Sequence, residues 1–146
     1  MADQSAIELL LARARAGLDR VEPKRLAEEV AAGAIPIDIR PVEQRQRDGE
    51  LPGAIIIDRN VLEWRLDPTS PDRLPVAVDA GVRYVIVCNE GYSSSLAAAT
   101  LLELGLYRAT DLVGGFQALR VLRLQASRDI FALDERRRRA GVEKDP

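Results

Sequence analysis

Apolar residues recur along this chain with two different periods. Between Ser5 and Ala16 they stand at Ile7, Leu10, Leu11 and Ala14, a helical spacing that Gly17 stops. In LDRVEPKRLAEEVAAG a short extended piece near Arg20–Val21 precedes a second helix, opened by Pro23 and closed at Gly33. AIPIDIR and AIIID are short Ile-rich runs, the pattern of buried strands. Between them PVEQRQRDGELPG predicts a polar helical turn closed by Gly and Pro. NVLEWRLD predicts a short helix before the proline-studded loop PTSPDRLPVAVDAG. RYVIVC is a further buried strand, Ser93 to Leu104 a helix and ATDLV a strand, and GGFQALRVL opens another helix. The last stretch, ASRDIFALDERRRRAGVEKDP, is more polar and predicts a helix that frays at its end.

Strands alternate with helices, without an internal repeat or a low-complexity linker. That order predicts one α/β domain with a mainly parallel sheet and right-handed crossovers. The expected division is an N-terminal helix over 1–18, the sheet domain over 19–125 and a polar, partly helical tail over 126–146. The N-terminal helix carries an apolar stripe that suits packing on the domain or against a second subunit, and the sequence leaves the oligomeric state open.

Composition narrows the function classes. The 146 residues fit one ordinary domain, and 47% apolar with 30% charged residues reads as globular. Lys plus Arg number 21 and Asp plus Glu 23, a net charge of −2 that gives no general reason to expect nucleic acid or an anionic membrane. The run Arg136 to Arg139 is flanked by Asp134, Glu135 and Glu143 and reads as a solvated helix end. No apolar run approaches the length of a membrane span, and the first residues, broken by Glu8, Arg13 and Arg15, do not form a signal peptide. A lone cysteine cannot form an internal disulfide, so a cytoplasmic location is expected. With no histidine, Ser-His-Asp and Cys-His pairs and histidine-based zinc sites are excluded.

The one cysteine stands where parallel sheets place ligands, just beyond the carboxyl end of a strand. Cys88 ends YVIVC, and Gly91 lets the backbone curl so that the amides of Asn89 through Ser94 can form an anion-binding nest. The N-terminus of the following helix adds partial positive charge, and together these favour thiolate over thiol. Read on its residues alone, Cys88 fits better the plainer alternative, a small buried hydrophobe at a strand end.

The surrounding pattern resembles the rhodanese-like family of single-domain sulfurtransferases. The matching pieces are VIVCNEGYSSSLAAATLLELGLYRATDLVGGFQAL and, upstream, IPIDIRPVEQRQRDGELPGAIII, so the resemblance runs from about Val21 to Leu119. It implies a three-layer fold with helices on both faces of the sheet. It also implies that Cys88 carries sulfane sulfur as a persulfide, with Asn89, Glu90, Gly91, Tyr92, Ser93 and Ser94 forming the loop that cradles it. The donor would be thiosulfate or a persulfide and the acceptor a thiol, cyanide or a protein, with no cofactor and no metal. The alternative within the same family is a non-catalytic module that binds a partner or senses oxidants.

The chain departs from the family pattern in the loop. Ser93 stands where relatives often carry arginine, Asn89 where a basic residue often follows the cysteine, and Glu90 adds a negative charge. A dianionic donor should be attracted less than by an arginine-lined loop, unless distant arginines compensate. Glu50 occupies the usual histidine position of the upstream turn and Leu119 that of a tryptophan; neither is assigned a function. Cysteine phosphatases that share the fold place an arginine six positions after the cysteine to grip phosphate. Here that position is Ser94, so a phosphatase is not expected.

Asp38 and Arg40 lie two apart on a strand and face the same way. The resemblance implies an ion pair that supports the loop rather than direct catalysis. Glu90 and Tyr92 are loop tips, free to meet an acceptor or only solvent. Gly114–Gly115 predicts a tight strand-to-helix turn beside the Cys88 loop, and Trp64 and Phe116 are expected in the core.

Overall fold

The computed structural model describes residues 3–141. Ser5 caps the first helix, α1 (Ala6–Ala16): its hydroxyl accepts the amide of Glu8, while the Glu8 carboxylate accepts the amide of Ser5. This reciprocal box satisfies two amides that a helix start leaves unpaired. Pro23 opens a 3-10 turn (Pro23–Arg25) that continues into α2 (Leu26–Ala31), and the chain then enters β1 (Ile35–Asp38). Helix α3 (Val42–Asp48), strand β2 (Ile55–Ile56) and α4 (Leu62–Leu66) follow. Strand β3 (Tyr84–Val87) leads into α5 (Ser93–Glu103), and β4 (Thr110–Asp111) leads into α6 (Gly115–Arg139).

All four strands are parallel, in the order β2-β1-β3-β4. The extended piece near Arg20–Val21 joins them through an isolated parallel bridge between Val21 and Leu112. Strand β3 is buried on both sides, and its residues alternate between two cores as the period of a strand requires. Tyr84, Ile86 and then Cys88 face Leu62 and Leu66 of α4 and Ala97, Ala98 and Leu101 of α5. Val85 and Val87 face Leu26 of α2 and Phe116 and Leu119 of α6. Helices therefore cover both faces, the three-layer arrangement expected for an α/β chain with parallel strands. Each fully buried Ile, Val or Leu contributes about 1.5–3 kcal/mol. Strand β3, an inner strand packed from both sides, is thus a firm support, and Cys88 stands at its end.

Two expectations change. The second Ile-rich run is not a buried strand: β2 is a two-residue edge strand, and Ile56 is 49% exposed. Trp64 is not in the core, being 57% exposed, whereas Phe116 is buried. The reason lies in the helix period. Leu62 and Leu66, four apart, take the inner side of α4, and Trp64 projects roughly 200° around the axis from Leu62.

Helix α1 lies against α5. Helix α6 runs without a break through residues 125 and 126, so the polar stretch beyond continues the helix begun at the Gly-Gly turn. Arg136 to Arg139 form its exposed last turn, where cations suit the negative end of the helix dipole, and Arg138 pairs with Asp134. Residues 142–146 of the expected tail lie outside the described residues. Among the described residues no helix is long and apolar enough to cross a membrane.

Candidate active site

Strand β3 delivers Cys88 to the carboxyl end of the sheet, and the chain curls around its sulfur before α5 begins. The Sγ atom accepts the amide N–H of Gly91 at 3.1 Å and that of Ser94 at 3.4 Å. Two of the six amides from Asn89 to Ser94 are thus on the sulfur. The Ser94 amide belongs to the first turn of α5, so the positive end of that helix points at Cys88.

The curl needs glycine at Gly91, where φ is +84°. A Cβ there would also lie 2.6 Å from the Gly114 nitrogen, because the loop is pressed against the turn that opens α6. Gly114–Gly115 is the expected strand-to-helix turn, and it approaches just as closely from its own side: a Cβ on Gly115 would lie 2.5 Å from the Cys88 carbonyl oxygen. The amides of Phe116 and Gln117 donate to the carbonyls of Cys88 and Asn89 at 2.9 and 3.0 Å. The start of α6 therefore takes up loop carbonyls on the outside while loop amides serve the sulfur inside.

Cys88 is only 5% exposed. It lies at the foot of a cleft of about 440 Å³ between Ile39, Arg40, Pro41 and Gln44 on one side and the Cys88 loop on the other. Glu90, Tyr92 and Ser93 are exposed on the rim. Asn89 turns away: its side-chain oxygen accepts from Gln117 at 3.0 Å, and Gln117 in turn donates to Asp48 at the end of α3. A hydrogen bond from Arg47 holds the Asp48 carboxyl below the usual carboxylate range, with Gln117 and Arg120 adding to the effect. The Ser94 hydroxyl also points away from sulfur, donating to Asp111 at 2.8 Å. Only its amide serves the site.

Asp38 and Arg40 form the expected pair, and both side chains are completely buried. Nη2 of Arg40 donates to the carboxylate at 2.8 Å and to the Gly49 carbonyl at 2.9 Å. The Arg40 amide adds a bond to Asp38 at 3.0 Å, and the guanidinium lies 3.7 Å from the centroid of the Phe116 ring. One side chain thus joins the end of β1, the end of α3 and the start of α6. Glu50, by contrast, is exposed and pairs with Arg45 away from the sulfur.

Sequence reasoning missed the other half of the support. Asp111 at the end of β4 is fully buried and accepts from Ser94, from Ser95 at 2.7 Å and from Arg20 at 2.8 Å. Arg15 and Arg20 both donate to the Gly91 carbonyl, at 2.8 and 2.9 Å. A signal was present: an aspartate inside the apolar run ATDLV must have partners if it is buried. Nothing local says that one of them stands 91 residues away.

Comparison with known proteins agrees with this geometry. The family model for the rhodanese-like domain matches residues 22–121, and the chain belongs to that family. Over 80 residues, 54% of its length, it is 35% identical to the adenylyltransferase and sulfurtransferase UBA4 of Lodderomyces elongisporus. It spans only 17% of that longer protein. Among solved structures, a protein of unknown function from Rhodopseudomonas palustris, described as a "possible tyrosine phosphatase", is 29% identical with a TM-score of 0.73, over 84% of this chain and 94% of that one. The human single-domain sulfurtransferase TSTD1 shares the fold at 22% identity and a TM-score of 0.55, over 68% of this chain and 92% of that one.

Proposed function

We propose that the chain is a sulfurtransferase that carries sulfane sulfur as a persulfide on Cys88. The carrying observation is the sulfur itself, which meets two backbone amides at the foot of an open cleft in a rhodanese-like domain. Both half-reactions need a nucleophilic, then a leaving, sulfur anion, and amide donors stabilise either. With thiosulfate as donor, the Cys88 thiolate attacks the outer sulfur. A Cys–S bond to that sulfur forms, the bond to the sulfonate sulfur breaks, and sulfite leaves with the electron pair. In the second half a thiolate, cyanide or protein acceptor attacks the outer sulfur of the persulfide, and Cys88 leaves as thiolate. A reducing compartment such as the cytoplasm would keep the lone thiol free between turnovers.

The site does not support phosphate-ester cleavage, in spite of the description carried by the Rhodopseudomonas protein. The position six after Cys88 is Ser94, whose hydroxyl is committed to Asp111, and Glu90 is the charged residue of the loop. A phosphoryl group would find no guanidinium fork within the loop.

Intact mass after thiosulfate, cysteine persulfide or polysulfide tests the reading. One added sulfur atom should appear and be removed by cyanide, and Cys88→Ser should abolish both steps while remaining folded. A folded protein that takes up sulfur from none of these donors would overturn it. The absence of arginine from the Cys88 loop favours one competitor, a redox-sensing module. In that reading a peroxide oxidises the thiolate to sulfenic acid with loss of hydroxide, and no second cysteine is present to resolve it. Oxygen uptake without sulfur uptake would select it.

A further inference from the structure

Two cations reach the Cys88 loop from outside the segment that the family model covers. Arg15, on α1, donates from Nη2 to the Gly91 carbonyl at 2.8 Å and from Nε to the Ser95 hydroxyl at 3.1 Å. Its guanidinium also lies 5.6 Å from the centroid of the Tyr92 ring. Arg20 shares the same carbonyl, but its charge is taken up by Asp111 at 2.8 Å. Asp38 likewise has Arg40. Arg15 has no carboxylate within ion-pair distance among the described residues, and the remaining charge of the loop, Glu90, is exposed on the rim.

We infer that Arg15 supplies the positive charge the Cys88 loop itself lacks: a positioning residue that orients the Gly91–Tyr92 peptide and biases the sulfur site toward anionic reactants. The inference rests on the reading of Cys88 as the reacting sulfur. In a trans peptide the N–H points opposite to the carbonyl, so a Gly91 carbonyl held outward by α1 turns the Tyr92 amide toward the inside of the loop. The charge is also close enough to act. The Arg15 nitrogen is 2.8 Å from the Gly91 oxygen and the Gly91 nitrogen 3.1 Å from Sγ. With one residue's backbone between, guanidinium and sulfur lie within about 10 Å of each other. That is comparable to the screening length at moderate salt. Arginine at Ser93 would act from within the loop, whereas Arg15 acts from behind it.

The ratio of alkylation rates of Cys88 with iodoacetate and with iodoacetamide tests this. Both reagents consume the same thiolate, so the ratio reads local charge and is insensitive to general loosening. Arg15→Gln keeps a donor but removes the charge, and should lower the ratio roughly two- to fifteenfold at low salt, the span given by a unit charge at about 10 Å in media between water and a protein surface. The difference should close at high salt, and Arg15→Lys should keep most of the ratio. Arg13→Gln, the same charge change on the same helix without a bond to the loop, should move it much less. If Arg15→Gln changes both rates together and leaves their ratio intact, Arg15 only holds the loop and the inference fails. Should that variant not fold, Arg15→Lys decides: a ratio near wild type supports the inference, and one at the level of the unfolded chain overturns it. Alkylation requires no sulfur transfer, so a chain that accepts sulfur from no donor refutes the sulfurtransferase reading without touching this ratio.

Discussion

Two acid–arginine pairs flank the candidate site, one at the end of each strand beside β3, and they are built in opposite ways. Asp38 and Arg40 sit two residues apart at the end of β1, both completely buried. The arginine also donates to the Gly49 carbonyl and lies over the face of Phe116, while its Nη1 is buried without a hydrogen-bond partner among the described residues. Asp111 and Arg20 are 91 residues apart, the arginine is 16% exposed, and the carboxylate also receives two serine hydroxyls from the start of α5. The first pair ties together the wall of the cleft. The second holds the loop itself, since Arg20 reaches the Gly91 carbonyl and Ser94 donates its amide to the sulfur. A buried local pair makes a rigid wall, and a partly solvated long-range pair makes a latch that fixes a loop onto it.

The largest expected effect comes from unbalancing the wall. Arg40→Met leaves the Asp38 carboxylate buried without its cation and should cost about 3–5 kcal/mol in urea unfolding. Replacing both partners by apolar residues should recover most of that loss, because no uncompensated charge then remains. A cost under about 1 kcal/mol for the single variant would break the distinction between wall and latch.

Asp111→Asn should cost less, about 1–3 kcal/mol, since the cation it frees can turn toward water. Its signature should be local: faster hydrogen exchange at the Gly91 and Ser94 amides, with little change in the middle of β3. Uniform loss of protection across the sheet would show that Asp111 supports the fold and not the loop.

Moving a cation from behind the loop to its inside comes next. Ser93 is exposed and lines the cleft with Cys88, so Ser93→Arg should raise the second-order rate with thiosulfate roughly tenfold, the value of one charge-assisted contact expressed in the transition state. An uncharged donor should gain little, and the advantage should shrink as salt rises. Equal gains with both donors would mean that the residue acts through loop shape.

The smallest expected effect is the coupling between the two pairs. Strands β1 and β4 are separated by β3, so Asp38 and Asp111 stand about 10 Å apart across two strand spacings. In a double-mutant cycle of Arg40→Met with Asp111→Asn the coupling should stay under about 0.5 kcal/mol. A larger value would show that wall and latch are one network, joined through Phe116 and the Cys88 carbonyl that its amide holds.

What could be read without a structure follows from range. The strand–helix alternation, the placement of Cys88 at a strand end, the curl at Gly91 and the Asp38–Arg40 pair all depend on residues a few positions apart. There the period of a strand or helix dictates which side chains meet. Periodicity misled only where it was weak: Ile55–Ile56 is too short to show that it lies at the sheet edge, and a single aromatic such as Trp64 does not announce which side of its helix it occupies. The Arg20–Asp111 latch, the grip of Arg15 on Gly91 and the pressing of Gly114–Gly115 against the Cys88 loop were decided by the tertiary structure alone. Each joins segments whose order in the chain carries no information about their distance in space, and only the packing of α1 on α5 and of β4 beside β3 brings them together. The local sequence set the place of the Cys88 sulfur and its amides; the fold decided which charges surround them.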